Sequence, residues 1–146
     1  YTKTRLYMLE TPAEEIARHA KFPVKVIGYS DEIEKLMQSA NIMVSKLGGL
    51  TTFEALACKL PIIADTTTPP MPQEAGTVAL LKSRGAGILL ENSSDIVPAI
   101  KGLLDDRRKY DLMRDATVGM TIPNSTRNII DEIGALLPPE TRAASA

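Results

Sequence analysis

The chain has 146 residues, 44% hydrophobic and 24% charged, with a formal net charge of -1. That is enough for one domain with a substantial core, and the proportions are those of a soluble globular protein, expected in the cytoplasm. The near-neutral balance gives nucleic acid no basic field, the single cysteine excludes an internal disulfide, and no apolar run approaches the ~20 residues that span a bilayer.

In chain order, Arg5–Leu9 reads as a weak strand, and Thr11-Pro12 opens a helix, with Thr11 as N-cap and Glu14 and Glu15 near the positive dipole end. Val24-Lys25-Val26-Ile27 reads as a strand stopped by Gly28. Asp31 starts a helix whose apolar positions Ile33, Leu36, Met37 and Ala40 recur at helical spacing. Ile42-Met43-Val44 is a buried strand leading into Gly48-Gly49, with helix from there to about Lys59 and strand over Leu60–Ala64. Three prolines in four residues (Pro69, Pro70, Pro72) then bar both helix and central strand. A helix from about Glu74 to Arg84 ends at Gly85, Gly87–Leu90 is strand, and Ser94 caps a helix in which Pro98 falls near the first turn. Two more helices follow, Arg107 to about Thr117 and Ser125 to Leu137. Residues 138–146 lack apolar periodicity and are expected to be a disordered tail on a single domain of residues 1–137. Tyr1, where an initiator methionine would stand, leads us to expect a fragment of a longer protein.

Strands alternating with helices predict an α/β fold, a doubly wound parallel sheet with helices on both faces. Ligands of such sheets sit beyond the carboxyl ends of the strands. Gly28-Tyr29, Gly48-Gly49 and Pro72-Gln73-Glu74 all follow predicted strands, so they are expected on one edge. The most informative of them is Ser45–Leu56, which reads as strand end, two-glycine turn and helix start. Unpaired N–H groups and the positive dipole end meet there, where a phosphate can bind. A Cβ at either glycine would crowd a diphosphate or forbid a positive φ. The same residues also allow a plainer reading, a capping box with Thr51 as N-cap and Glu54 reaching back to its amide.

Val26-Ile27-Gly28-Tyr29, Lys46-x-Gly48-Gly49-x-Thr51-x-x-Glu54-Ala55-Leu56, Leu60-Pro61-Ile62-Ile63, Pro72-Gln73-Glu74 and Gly85-Ala86-Gly87 together resemble one family. It is the C-terminal, donor-binding, Rossmann-like half of GT-B glycosyltransferases of the family 28 type. That branch contains monogalactosyldiacylglycerol synthases, processive diacylglycerol glucosyltransferases and the peptidoglycan N-acetylglucosaminyltransferase. The resemblance runs from about Val24 to Leu104. It implies that Gly28 and Tyr29 border the uracil, that Gly48, Gly49, Leu50 and Thr51 receive the diphosphate with help from Lys46, and that Glu54 accepts from the ribose hydroxyls. Gln73, Glu74 and the Thr77 position, where relatives often carry asparagine, would meet the donor sugar. Pro72 replaces the glycine usual before the glutamine, a departure that bears on sugar identity.

The resemblance further implies a UDP-sugar substrate, an inverting transfer and a possible lipid acceptor, with no metal or other cofactor. It places no catalytic residue in this chain. The general base and acceptor site belong to an N-terminal half or separate subunit, through which any membrane association would run. Two rivals stay open: a split donor-binding subunit, or a nucleotide-binding module, that works only beside a partner chain; and half of a sugar-nucleotide epimerase, whose paired acidic residues after the glycines Phe53-Glu54-Ala55 does not match. A non-nucleotide fold in which every motif is a turn or a cap also remains. His19 is expected on the surface, Cys58 as a small apolar side chain, Met37, Met43 and Met113 in the core, and Asp105–Lys109 at a solvated helix junction. No His/Cys spacing suggests a metal site.

Overall fold

A computed structural model describes residues 12–69 and 71–136. The chain divides into two compact units, Tyr1–Leu36 and Met37–Ala146. In the first, residues 12–19 are helical and form α1, and His19 is exposed. Thr11, the expected cap, the expected strand Arg5–Leu9 and the expected tail lie outside the described residues.

The predicted strand Val24–Ile27 joins no sheet among the described residues, and Val24 and Ile27 are exposed. The alternation Val24-Lys25-Val26 meets the pattern of a strand, but a strand exists only through a neighbour that takes up its N–H and C=O groups. Helix α2, Ile33–Ser39, runs across the border between the units. It starts slightly later than Asp31: the Glu32 amide donates to the Ser30 hydroxyl (3.0 Å), and the Leu36 amide to the Glu32 carbonyl (3.1 Å).

The second unit is built on strands β1 (Met43–Ser45), β2 (Ile62–Asp65) and β3 (Gly87–Leu90). They pair in parallel and in chain order, with Val44 opposite Ile63 and Ile63 opposite Ile88. Helix α3 (Gly49–Ala57) links the first pair, and a 3-10 turn (Pro72–Glu74) running into α4 (Ala75–Arg84) links the second. After β3 come a 3-10 turn at Ser93–Asp95, then α5 (Ile96–Leu104), α6 (Arg107–Ala116) and α7 (Ser125–Leu136).

Side chains alternate along β2, and the two faces carry separate cores. Ile62 and Ala64 pack with Ala55 and Leu56 of α3 and Leu81 of α4, and Met37 joins this cluster. Ile63 and Leu90 pack with Leu103 of α5 and Met113 of α6. Helices thus cover both faces of a parallel sheet, the α/β arrangement expected. Residues 60–64 are all buried, and the strand here runs over Ile62–Asp65 rather than the expected Leu60–Ala64; covered on both sides, it has no polar face to alternate with. Cys58 and Met43 pack against the first cluster as partly buried apolar groups, and Met37 and Met113 are core residues, as expected.

The helix ends follow local chemistry. At the end of α3 the Leu60 amide donates to the Ala55 carbonyl (3.0 Å) while Lys59 adopts a left-handed φ of 55°, the work glycine usually does there. Gly85, at φ 66°, ends α4 in the same way and carries no side-chain penalty. Asp106 caps α6 by accepting from the Lys109 amide (3.0 Å), so the charged run at 105–109 is a solvated junction. Ser94 does not cap α5, contrary to expectation. It lies inside the 3-10 turn, its hydroxyl reaches only the Asp95 carboxylate, and Pro98 is the third residue of the helix proper. Among the described residues no helix is long and apolar enough to cross a membrane.

Candidate functional site

The site grows out of the connection from β1 to α3. Lys46, Leu47 and Gly48 leave the carboxyl end of β1; Leu47 turns into the core at 3% exposure and anchors the turn. Gly48 is the N-cap of α3, extended at φ -86° and ψ 143°, and its carbonyl accepts the first helical hydrogen bond, from the Thr52 amide at 3.0 Å. No side chain caps the helix. The N–H groups of Gly49, Leu50 and Thr51 therefore have no partner among the described residues and stand at the positive end of the helix dipole.

Two expectations are corrected here. Thr51 is not the N-cap but the third helical residue, and Glu54 is the sixth, out of reach of a capping box. The pattern Thr-x-x-Glu is met, but the helix begins three residues earlier because an extended glycine serves as cap without any side-chain signature. Nor is either glycine needed for a positive φ: Gly48 has φ -86°, and the described glycines with positive φ are Gly85 and Gly119. A Cβ at Gly48 or Gly49 would meet no atom of the described residues within 4 Å. Neither backbone conformation nor packing demands glycine at these positions, and open space lies above both.

Two hollows flank this helix start. The smaller, about 300 Å³, lies at the carboxyl ends of β1 and β2 and is lined by Lys46, Gly48, Asp65, Thr66, Thr68 and Glu74, among others. The larger, about 980 Å³, runs along the outer side of α3. Gly49, Leu50, Phe53 and Glu54 form one wall, and the connection from α6 to α7, including Met120 and Ile122, forms the other.

The structure thus brings Lys46, Gly48 and Glu74 around one cleft, and Gly49, Leu50 and Glu54 around the adjoining hollow. Thr51 lies between them as the third residue of α3, half-buried. Glu74 already uses one oxygen: its Oε2 accepts from the Met71 amide (3.2 Å), which ties the 3-10 turn together. Gln73 and Thr77 are not among the residues lining either hollow; the Gln73 amide nitrogen contacts the Met71 sulfur at 3.3 Å, and Thr77 is half-buried on α4. Gly28 and Tyr29 belong to the first unit, where the Tyr29 ring is 80% exposed and so is not a core aromatic.

Sequence reasoning passed over Asp65, the last residue of β2. Its Oδ1 accepts from the Thr67 hydroxyl (2.6 Å) and the Thr67 amide (3.1 Å). Those two bonds, the hydroxyl first, hold its carboxyl below the ordinary value of 3.8, with a smaller contribution from the positive charge of Lys46. Thr66 pins the root of the loop, its amide and hydroxyl both donating to the Leu90 carbonyl, at 3.2 and 2.6 Å. The available sequence signal was Asp-x-Thr at a strand end, a common local turn. The chemistry of the arrangement is a helix start and a lysine for an anion, with carboxylates on either side for hydroxyl groups.

A profile of the glycosyl transferases of group 1 matches residues 7–106. The chain is also similar to processive diacylglycerol beta-glucosyltransferases. That of Bacillus licheniformis is 29% identical over 126 residues, 86% of this chain and 32% of its own length. That of Bacillus cytotoxicus is 32% identical over 110 residues, 75% of this chain and 28% of its own length. That of Bacillus pumilus is 28% identical over the same span and shares. The chain therefore spans about a third of the length of the curated relatives it matches. A family match over most of the chain, a parallel sheet with helices on both faces, and an open glycine turn at its carboxyl edge lead to one assignment: the chain belongs to the glycosyl transferases of group 1, as a donor-binding domain of the GT-B type.

Proposed function

We propose that this chain holds the UDP-sugar donor of an inverting glycosyltransferase whose acceptor is a diacylglycerol-type lipid. The observation that carries the reading is the start of α3: among the described residues, three N–H groups without partners, no side-chain cap, and two glycines whose Cβ positions are open. A diphosphate fills that space and satisfies those donors. Lys46 adds a positive charge beside it, and Glu54, on the wall of the larger hollow, faces the side where a ribose diol would lie. Gly28 and Tyr29 are assigned to the base through the family resemblance. The lipid acceptor is suggested by the activity named for the Bacillus relatives.

In the transfer, the acceptor hydroxyl attacks the anomeric carbon as its bond to the diphosphate breaks. The acceptor proton goes to a general base, and UDP leaves with the electron pair. The chain's part is electrostatic. Fixed N–H dipoles already point at the oxygen on which negative charge develops, so little reorganisation accompanies the step. The base and the acceptor pocket fall to a part of the protein outside this chain, which spans about a third of its relatives' length, or to a separate subunit. The second arrangement is favoured by α7, which exposes Ile129, Ile130, Ile133 and Leu136 at helical spacing, a stripe suited to a partner chain.

Calorimetric titration with UDP tests the reading. Saturable binding is expected, weakened roughly tenfold or more by Glu54→Ala through loss of charge-assisted hydrogen bonds, and absent with ADP. A folded chain that ignores UDP, or binds UDP and ADP alike without regard to Glu54, would refute it.

A further inference from the structure

We infer that Asp65 reads a hydroxyl of the transferred sugar and so contributes to donor specificity; the inference rests on the donor-site reading above. Three observations meet at this residue. The 300 Å³ cleft places Asp65 on the same wall system as Gly48, at the diphosphate end, and Glu74. Its volume is at the low end of small-molecule sites (about 300–1,000 Å³), a size for one ring rather than for a whole nucleotide sugar. The larger hollow, on the Glu54 side of the helix start, takes the nucleoside end, so the group beyond the diphosphate is directed into the smaller cleft.

The second observation is how Asp65 is held. Both Thr67 donors bind the same oxygen, Oδ1, which fixes the carboxylate at the end of β2 and leaves Oδ2 without a hydrogen-bond partner among the described residues. The third is charge. A fixed carboxylate near a diphosphate repels it, so Asp65 is a poor phosphate ligand, and what it can accept from are hydroxyl groups. The neutral, hydroxyl-bearing part of a nucleotide sugar next to the diphosphate is the sugar itself. Lys46, on the neighbouring strand end, offsets the repulsion felt by the phosphates.

Asp65→Asn is the diagnostic change. Asparagine keeps an oxygen for Thr67 but replaces the second oxygen with an NH2 group that cannot accept from a sugar hydroxyl. UDP and UDP-glucose are titrated separately into the wild-type chain and the variant. UDP affinity is expected to hold or to rise, because the charge that repels the diphosphate is gone, while the extra affinity that the glucosyl group provides in the wild type falls by roughly tenfold. If the asparagine variant does not fold, Asp65→Ser, which also keeps an acceptor for Thr67, carries the same comparison. A wild-type chain that does not bind UDP refutes the donor site itself, and this assignment with it. UDP binding with no gain from the glucosyl group, or a variant that weakens both ligands equally or neither, overturns the assignment of Asp65 alone.

Discussion

Replacing Gly49 by alanine separates the demands of folding from those of a ligand. Gly49 is the first residue of α3, its φ is not positive, and a Cβ there meets nothing within 4 Å. Alanine at such a site lowers the entropy of the unfolded chain and suits a helix better than glycine, for a gain of about 0.4–1 kcal/mol. For a chain of 146 residues that corresponds to a melting point raised by roughly 1–4 °C. The same methyl group stands where a phosphate oxygen must approach the Gly49 and Leu50 amides, so UDP affinity should drop about tenfold or more, ~1.4 kcal/mol. Scanning calorimetry without nucleotide and titration with UDP read the two effects independently. A variant that is more stable and binds UDP as well as the wild type would remove the ligand reason for glycine. A variant that is less stable by more than about 1 kcal/mol would contradict the open geometry of the turn, since only lost packing or strain costs that much.

Two further outcomes are expected. The Thr52 hydroxyl is buried at 1% exposure without a hydrogen-bond partner among the described residues, so Thr52→Val, of nearly the same shape, should stabilise the protein by about 1 kcal/mol. That appears as a higher urea midpoint at constant slope, and an unchanged or lower midpoint would show that the hydroxyl is satisfied after all. Thr67→Val removes the stronger of the two bonds to Asp65, so the carboxyl should titrate closer to 3.8, as followed by NMR. Because the folded-state value lies below the unfolded one, the stability that Thr67 lends through Asp65 is present above about pH 3.8 and is lost as pH falls through the folded-state value. The difference between wild type and variant should therefore narrow in acid; a difference that widens there would refute the coupling.

What the sequence disclosed, it disclosed through local chemistry. The glycine stop at Gly85 and the strand at 87–90 each carry their cause in neighbouring residues and stand where they were read, while the apolar run at 60–64 yields a strand that begins two residues later, at Ile62, and ends at Asp65. The start of α3 was legible as a place but not as a geometry, because an extended glycine caps a helix without leaving a side-chain mark, while Thr51 and Glu54 imitate a different cap. Val24–Ile27 satisfied every local condition for a strand and still formed none among the described residues, since pairing is a property of two segments. Asp65 escaped notice for a related reason. Its neighbour Lys46 lies nineteen positions earlier in the chain, and only the register that sets Ser45 opposite Ala64 brings the two strand ends together.

The pairing of the strands in the order of their synthesis also bears on how the protein is made. A chain emerging from the ribosome can lay down β1, β2 and β3 one crossover at a time, without waiting for a distant strand to complete the sheet. The two faces are nevertheless finished at different moments. α3 and α4 are synthesised between the strands, so the side carrying Ile62 and Ala64 is covered as the sheet grows. Ile63 and Leu90 wait for Leu103 and Met113, which emerge only after the last strand. During that interval the nascent sheet shows one bare oily side, and a chaperone or a neighbouring nascent chain would meet it there first.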